Sequence, residues 1–264
     1  MRKFDRHTFV ICAYGESPYL EDCIISLMGQ SVESNVIMAT STPNDLIRDL
    51  CGKYGLDLFV NDGPGSITLD WNFAISCAGT DIVTIAHQDD VYYSDYTEGL
   101  IRSLKGAKRP IIYFSDYDEI RKGERVASNK LLKIKRCMLL PLRIGALQKS
   151  RWVRRRIISL GSPICCPAVT YFLENTGQPV FRDHFRTDED WEAWEKLSRL
   201  KGEFLYDPAH RMGHRIHGGS ETSKVIGETG RSAEDLEMYR KFWPEPIARL
   251  LCRAYAKSEE SNKV

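Results

Sequence analysis

Two adjacent carboxylates, Asp89 and Asp90, directly follow an apolar run rich in β-branched residues, and they are the pair in this chain best suited to chemistry. Neighbouring negative charges repel, and each raises the pKa of the other unless a cation or several hydrogen-bond donors offset the repulsion. Mg²⁺ and Mn²⁺ take one or two protein carboxylates and complete their shell with phosphate and water oxygens. The pair therefore predicts a divalent cation, with capping of the next turn as the simpler alternative.

The elements that must position this pair alternate between strand and helix. Apolar runs predict strands at 7–13, 35–40, 56–60, 81–86 and 111–114. Helical spacing predicts helices between them, and Ser17 with Pro18 is typical of the start of the first helix. This repetition predicts an α/β fold with a largely parallel sheet that helices cover on both faces.

Ligands of such sheets bind at the carboxyl ends of the strands. Four groups of residues are therefore expected along one edge, namely Ala13-Tyr14, Thr40-Ser41, Asn61-Asp62 and Gln88-Asp89-Asp90. The two carboxylates should accordingly form part of a pocket.

The charge of the chain is unevenly distributed, although its net value is only +1. Lys and Arg number 5 against 15 Asp and Glu in residues 1–100, 17 against 4 in 101–160, and 15 against 17 in 161–264. The basic middle segment indicates an anionic partner, such as phosphate groups or a lipid surface, with a solvated basic face as the alternative. Aromatic residues are sparse in 121–158, so a stacking platform for nucleic acid is not expected.

Composition indicates one large globular domain, because 264 residues with 42% hydrophobic content can bury a full core. No apolar run approaches the roughly 18 to 20 residues of a membrane span, and the start of the chain lacks the apolar core of a signal peptide. Eight scattered cysteines without a CxxC pair are expected to be reduced thiols. These features predict a cytoplasmic protein.

Four motifs, in this order and spacing, make the chain from about 8 to 222 resemble a family 2 inverting glycosyltransferase with the Rossmann-like GT-A fold. They are AYGESPYLEDCIISLMGQS, NDGPGSITLDWNFAISCAGTDIVTIAHQDD, EDWEAWEKL and RIHGGSET. The resemblance is to a bacterial branch with a His-Gln-Asp-Asp metal motif. It implies an enzyme of the hexosyltransferase type whose donor is a nucleotide-diphosphate sugar. It also implies a bound Mn²⁺ or Mg²⁺.

The resemblance assigns roles at the strand edge. Asp90 would be the metal ligand, Asp89 would contact the ribose or the metal, and Gln88 occupies the first acidic position of the usual motif. Tyr14 would stack near the nucleobase. The donor-binding residues implied in this way are Ala13, Tyr14, Glu16, Thr40, Asp62, Asn72, Gln88, Asp89 and Arg215.

The resemblance also implies a catalytic carboxylate on the late helix. An inverting transfer needs one carboxylate to take the proton of the acceptor hydroxyl, and Asp190 is the first candidate, with Glu189 second. Thr187 to Asp190 also form a capping box, in which Asp190 would only satisfy the first amides of a helix. His217 would complete the metal shell and Arg215 would grip a phosphate.

Two departures from the family pattern put uridine recognition in question, because Thr40 and Ser41 replace paired aspartates and Trp71 stands where a basic residue is frequent. His87 is expected only to orient Asp89 or Asp90 by a hydrogen bond. One alternative is a zinc-dependent amino-sugar deacetylase, in which His87-x-Asp89-Asp90 and His214-x-x-His217 would bind the metal. Another is a non-catalytic nucleotide-binding relative.

The expected organisation is a single GT-A domain over 1–257 with a polar tail at 258–264. Its parts are a nucleotide-sugar half at 7–116, a basic helical insertion at 117–160, an acceptor and catalytic half at 161–225 and C-terminal helices at 226–257. The acceptor is expected to be a glycan or glycolipid hydroxyl, in bacterial polysaccharide or glycolipid assembly. Peripheral contact with the inner membrane face is a further hypothesis from the basic segment.

Overall fold

The computed structural model describes residues 2–218 and 231–259, and the polar end of the chain at 260–264 lies outside it. Its first part alternates strands and helices as the sequence predicts. The strands are β1 (Arg2–Ala13), β2 (Val32–Thr40), β3 (Leu58–Val60), β4 (Ile82–His87) and β5 (Val91–Tyr92). The helices are α1 (Leu20–Met28), α2 (Asp45–Tyr54), α3 (Ile67–Cys77) and α4 (Tyr96–Leu104).

The second part contains longer strands and shorter helices. The strands are β6 (Pro110–Arg121), β7 (Glu124–Val126), β8 (Val169–Phe172) and β9 (Glu203–Ile216). The helices are α5 (Lys130–Leu139), α6 (Gly145–Gln148), α7 (Arg151–Ile158), α8 (Leu173–Thr176), α9 (Glu189–Ser198), α10 (Arg231–Arg240) and α11 (Glu245–Glu259), with 3-10 turns at Leu140–Arg143 and Cys166–Ala168.

All nine strands belong to one sheet, in the order β3-β2-β1-β4-β8-β6-β9-β5, with β7 paired to β6. The first four strands are parallel neighbours, as expected. β8 lies antiparallel between β4 and β6, so the sheet is mixed rather than largely parallel. The reason is that β8 follows the helical insertion and enters the sheet from the opposite end.

The start of α1 differs from the prediction. The helix begins at Leu20 rather than at Pro18, and Ser17 Oγ accepts a hydrogen bond of 3.3 Å from the Tyr19 N–H in the turn before it. The late helix α9 packs into the core, because Trp191, Trp194 and Leu197 are all fully buried. That helix is therefore fixed in the protein, and its first residues have a defined position.

The insertion predicted to be helical at 117–160 begins instead with the end of β6 and with β7, and short helices follow only from Lys130 onward. Arg154 anchors α7, because its guanidinium is buried and donates hydrogen bonds to the main-chain carbonyls of Ser198, Leu200 and Gly202. Arg155 pairs with Glu195 of α9 at 2.8 Å. These basic side chains therefore attach the insertion to the second half of the protein, although basic residues in a sequence usually indicate a solvent-exposed face.

Candidate active site

The carboxyl ends of β1, β2 and β4 lie side by side, because these strands are parallel neighbours. Gln88 links two of these ends: the Tyr14 N–H donates to Gln88 Oε1 at 3.0 Å, and Gln88 Nε2 donates to the Tyr14 carbonyl at 2.9 Å. A ribose hydroxyl would have to share the amide of Gln88 with these bonds. The Tyr14 side chain is 60% exposed and remains open to a planar ligand.

Asp90 is fully buried at this edge. Its Oδ1 accepts a hydrogen bond of 2.8 Å from the main-chain N–H of Arg215, and His214 Nδ1 lies 3.0 Å from Oδ1 and 3.2 Å from Oδ2. These contacts join the end of β4 to β9. They favour a supporting role for Asp90 over the metal ligation predicted for it.

Asp89 is placed differently from its neighbour. Its Oδ2 lies 2.9 Å from Nε2 of His217, and the two side chains are 19% and 24% exposed. Arg215 Nε donates to the Asp89 carbonyl at 2.8 Å, and its guanidinium lies 4.2 Å from the ring centre of Tyr19. A carboxylate, an imidazole and a guanidinium thus lie together at the strand edge. The rest of the late motif, at 219–222, lies outside the described residues.

The electrostatics explain how two adjacent carboxylates are tolerated. Burial raises the pKa of Asp89, but the nearby His87 and the hydrogen bond to His217 act against it, and the pKa lies below its usual value. Burial lowers the pKa of His214, but the charge of Asp90 outweighs burial and raises it. These shifts favour an ionised Asp89 and a protonated His214 beside Asp90.

A third aspartate, which the sequence analysis did not single out, reaches the same edge. Asp70 lies in the first turn of α3, where its carboxylate accepts hydrogen bonds from Ser41 Oγ at 2.7 Å and from Asn61 Nδ2 at 2.9 Å. Its position in the sequence could have indicated that it lies at this edge. An acidic residue in the first turn of a helix that follows a parallel strand lies near the carboxyl ends of the strands. Asp70 thus supplies a carboxylate where the family's paired aspartates are missing.

The other predicted donor residues divide by exposure. Glu16 and Asp62 are exposed at the edge, whereas Ala13 and Thr40 are buried. Asn72 uses its side chain internally, donating to the Phe181 carbonyl at 2.9 Å and accepting from the Phe181 N–H at 3.0 Å. Asn72 therefore holds a loop against α3 in this structure.

His87 does not make the hydrogen bond predicted for it. Its ring stacks on Trp71, with the ring centres 5.3 Å apart, and its buried Nε2 has no hydrogen-bond partner among the described residues. The main chain of His87 does the positioning instead, because its carbonyl accepts from the Asp90 N–H at 3.1 Å and from the Cys23 thiol at 3.3 Å.

The candidate base lies at the start of α9. Glu189 is buried and Asp190 is partly buried. The residue before the helix is Asp188, not the Thr187 of the predicted capping box, and Thr187 Oγ1 donates to Glu234 Oε2 at 2.7 Å. The capping-box alternative for Asp190 therefore does not describe how this helix begins.

The charges of Asp190 and of Asp90 at the strand edge act on the same cysteine, Cys165. Burial raises the pKa of the Cys165 thiol, and both Asp90 and Asp190 raise it further against the opposing charge of Lys135. Lys135 extends from α5 and donates to the Tyr117 hydroxyl at 3.2 Å. The charges of both Asp90 and Asp190 therefore act on Cys165.

The residues present fit a cation that is shared with a ligand. No group of three His, Cys, Asp or Glu side chains within 2–218 and 231–259 is arranged to hold a metal. Catalytic zinc usually has three protein ligands, so the described residues do not form the site of the deacetylase alternative. Mg²⁺ or Mn²⁺ needs only one or two, because phosphate and water supply the others, and Asp89 with His217 provides such a pair.

The fold is that of known GT-A proteins. The structure of S. aureus TarS residues 1–349 matches with a TM-score of 0.61 at 13% identity, over 94% of this chain and 69% of that chain. TarS 1–349 in complex with UDP-GlcNAc matches with the same score over 98% and 73%, and its complex with UDP matches with 0.56 over 97% and 72%. At 13% identity this likeness concerns the fold.

The sequence makes the assignment more specific. Residues 8–159 match the profile of glycosyl transferase family 2, which covers more than half of the chain. The chain belongs to this family and is a glycosyltransferase. A search of curated proteins finds no significant match. No helix in the described part of the chain is long and apolar enough to cross a membrane.

Proposed function

We propose that the protein transfers a sugar, with inversion, from a nucleotide-diphosphate sugar to the hydroxyl of a glycan or glycolipid acceptor. One observation carries this proposal: Asp89, His217 and Arg215 meet at the edge where the parallel strands end, and the α9 carboxylate Asp190 acts on Cys165 together with Asp90 of that edge. The edge would supply the groups that bind a diphosphate, and Asp190 would supply the base for the acceptor.

The nucleotide would occupy the ends of β1 to β3. Tyr14 offers an exposed ring for stacking, and Asp70 offers an acceptor for N–H groups of the base, held by Ser41 and Asn61. TarS was solved with UDP and with UDP-GlcNAc, which supports UDP sugars as the first donors to test.

Asp89 and His217 would hold Mn²⁺ or Mg²⁺, which when bound supplies positive charge to the diphosphate. Asp90 and His214 would keep β9 in place and so set the distance between Asp89 and His217. Arg215 adds a second positive group, whose planar guanidinium suits a phosphate. Metal dependence thus rests on Asp89 more than on the buried Asp90.

Asp190 would accept the proton of the acceptor hydroxyl as that oxygen attacks the anomeric carbon. The bond between that carbon and the diphosphate oxygen breaks at the same time, and the nucleoside diphosphate leaves with the bonding electrons. Attack from the face opposite the leaving group inverts the anomeric centre.

A binding panel tests the donor site. Thermal shift and calorimetry with UDP, GDP, CMP and dTDP, with and without Mn²⁺, would use the wild type, Asp89→Asn and the exposed control Asp49→Asn. We expect one nucleotide to stabilise the wild type and the control in a metal-dependent way, and Asp89→Asn to lose most of this effect. Equal binding by all three proteins would contradict the proposed metal site.

The non-catalytic alternative has its own test. Donor turnover, including slow hydrolysis by water, would be measured with sugars of the nucleotide that binds. A protein that binds the nucleotide but shows the same turnover in the wild type and in Asp190→Asn would support a binding role without catalysis.

A further inference from the structure

A long stretch that includes most of the helical insertion carries basic residues and no acidic ones. Residues 125–173 contain eleven Lys and Arg and no Asp or Glu. Seven of these cations have partners within the protein: Arg125, Lys135, Arg136, Lys149, Arg154, Arg155 and Arg156. Lys130, Lys133, Arg143 and Arg151 are exposed and have no acidic partner within the described chain. A net positive surface therefore remains after the internal pairs are accounted for.

Large apolar side chains are exposed among these free cations. The exposed fraction is 43% for Ile134, 49% for Leu140, 59% for Ile144 and 71% for Trp152. Single exposed apolar residues are ordinary on a protein surface. Here four of them alternate with unpaired basic residues over consecutive elements that contact one another. The pattern is that of a surface which is both cationic and apolar.

The helices that carry this surface are held rigidly. On α5, the exposed positions Lys130, Lys133 and Ile134 share one stripe, while Leu132 is fully buried and Lys135 points inward to Tyr117. On α7, the buried guanidinium of Arg154 fixes the helix to main-chain carbonyls, which leaves Arg151 and Trp152 outside. The outward orientation is thus set by interior contacts.

We propose that this surface, defined by Lys133, Ile134, Leu140, Arg143, Ile144 and Trp152, docks the protein onto an anionic phospholipid bilayer. Basic residues are attracted to anionic headgroups, and apolar side chains on the same helices enter the boundary with the acyl chains. Exposed tryptophan is typical of that boundary. A protein partner would favour a contiguous apolar patch, whereas here cations separate the apolar side chains. The proposal does not depend on the proposed donor or acceptor.

The docking surface faces away from the protein, but α5 also reaches the candidate active site. The charge of Asp190 acts on Lys135, which is on the inner side of α5. Lys133 and Ile134 are exposed on its outer side. A bilayer bound to the outer side would therefore lie one helix away from the acceptor side of the site. This arrangement suits an acceptor that is itself anchored in the bilayer.

Vesicle sedimentation tests the proposal without nucleotide. The wild type is expected to pellet with POPC/POPG vesicles at physiological salt and to remain in solution with POPC alone. The double variant Lys133→Glu/Arg143→Glu should weaken binding about tenfold or more, because each basic residue near an anionic membrane contributes appreciably. The control Lys105→Glu/Lys108→Glu changes the net charge equally elsewhere on the surface and should bind like the wild type.

The apolar part is tested separately. Ile144→Ser/Trp152→Ser should weaken vesicle binding about tenfold, whereas Ile25→Ser, an exposed residue of α1, should have no effect. Brominated lipid should quench the tryptophan fluorescence of the wild type more than that of Trp152→Phe. No pelleting, equal binding by docking and control variants, or self-association in place of vesicle binding would overturn the proposal.

Discussion

Strands β1 to β4 and strands β6 and β9 bury different kinds of side chain. Val10, Ile11, Val83 and Ile85 fill the interior of the first group. Asp116, Asp118 and Glu119, in the middle of β6, are equally buried and rely on ion pairs with Arg136, Arg125 and Arg121. Apolar burial holds both halves, since β6 and β9 also bury Ile112 and Phe204. The second half adds buried carboxylates that need specific partners, and the two halves are called the apolar half and the charged half below.

The difference teaches where the candidate site comes from. Asp89 and Asp90 belong to the apolar half, and their partners His214, Arg215 and His217 belong to β9 of the charged half. The site forms only when the two halves meet in one sheet. A substitution at this edge should therefore change donor binding, whereas a substitution of Asp190 on α9 should change proton transfer.

The largest effect is expected for Asp190→Asn, which tests this division directly. Loss of the base should lower the turnover number about 10³-fold, because general-base catalysis typically contributes 10² to 10⁴. Nucleotide affinity should stay within about twofold of the wild type, since Asp190 belongs to α9 and the proposed donor residues belong to the strand edge. A parallel loss of nucleotide binding would contradict a separation of the two roles.

A somewhat smaller effect is expected on folding when a buried charge is removed. Asp118 is fully buried and contacts Arg125, His210 and Tyr93. Asp118→Ala should lower the free energy of unfolding by about 2–3 kcal/mol, because Arg125, His210 and Tyr93 lose the carboxylate that accepts their hydrogen bonds. Ile85→Val in the apolar half should cost only about 1 kcal/mol. Urea unfolding measures the free energy of unfolding of both variants. Equal losses would mean that the two halves do not differ in how they are stabilised.

The apolar half should show the clearer sensitivity to acid. Burial lowers the pKa of His7 to about 3, and its two ring nitrogens each lie 2.8 Å from a hydroxyl, of Ser34 and of Thr84. Because the folded pKa lies below the unfolded value of 6.5, the unfolded chain binds more protons, and stability falls as the pH drops below about 6.5. Between pH 7 and pH 5 this loss should be about 2 kcal/mol.

His7→Gln is the matched variant for that measurement. It should be less stable at pH 7 but lose less further stability between pH 7 and pH 5, because glutamine does not titrate. Unfolding curves at several pH values give the slope directly. If the variant and the wild type show the same slope, another group causes the acid sensitivity.

The smallest effect is expected at the nucleotide edge. Asp70→Asn keeps the shape of the side chain but removes its charge, so nucleotide affinity should fall about three- to tenfold, by the loss of one charge-assisted hydrogen bond. Calorimetry with the nucleotide that binds would measure this change. Asp57→Asn, exposed before β3, serves as the control, and an unchanged affinity for Asp70→Asn would remove Asp70 from the nucleotide site.

Much of the first half could be predicted from the sequence, because parallel strands buried on both faces appear as apolar runs and their connecting helices show helical spacing. Its strands were located to within a few residues, apart from the long start of β1. The second half was less predictable. No local pattern indicates that β8 pairs antiparallel with β4 and β6. Strand order depends on contacts between distant residues.

The sequence by itself determined the family, the strand edge that carries Asp89 and Asp90, and the helix that carries Asp190, because motifs and periodicity are local properties. Only the tertiary structure decided that Asp90 is buried against His214 while Asp89 meets His217, and that Asp70 joins Ser41 and Asn61. Adjacent residues in a turn have the same local sequence context. Which carboxylate is buried depends on where β9, more than 120 positions later in the chain, is attached.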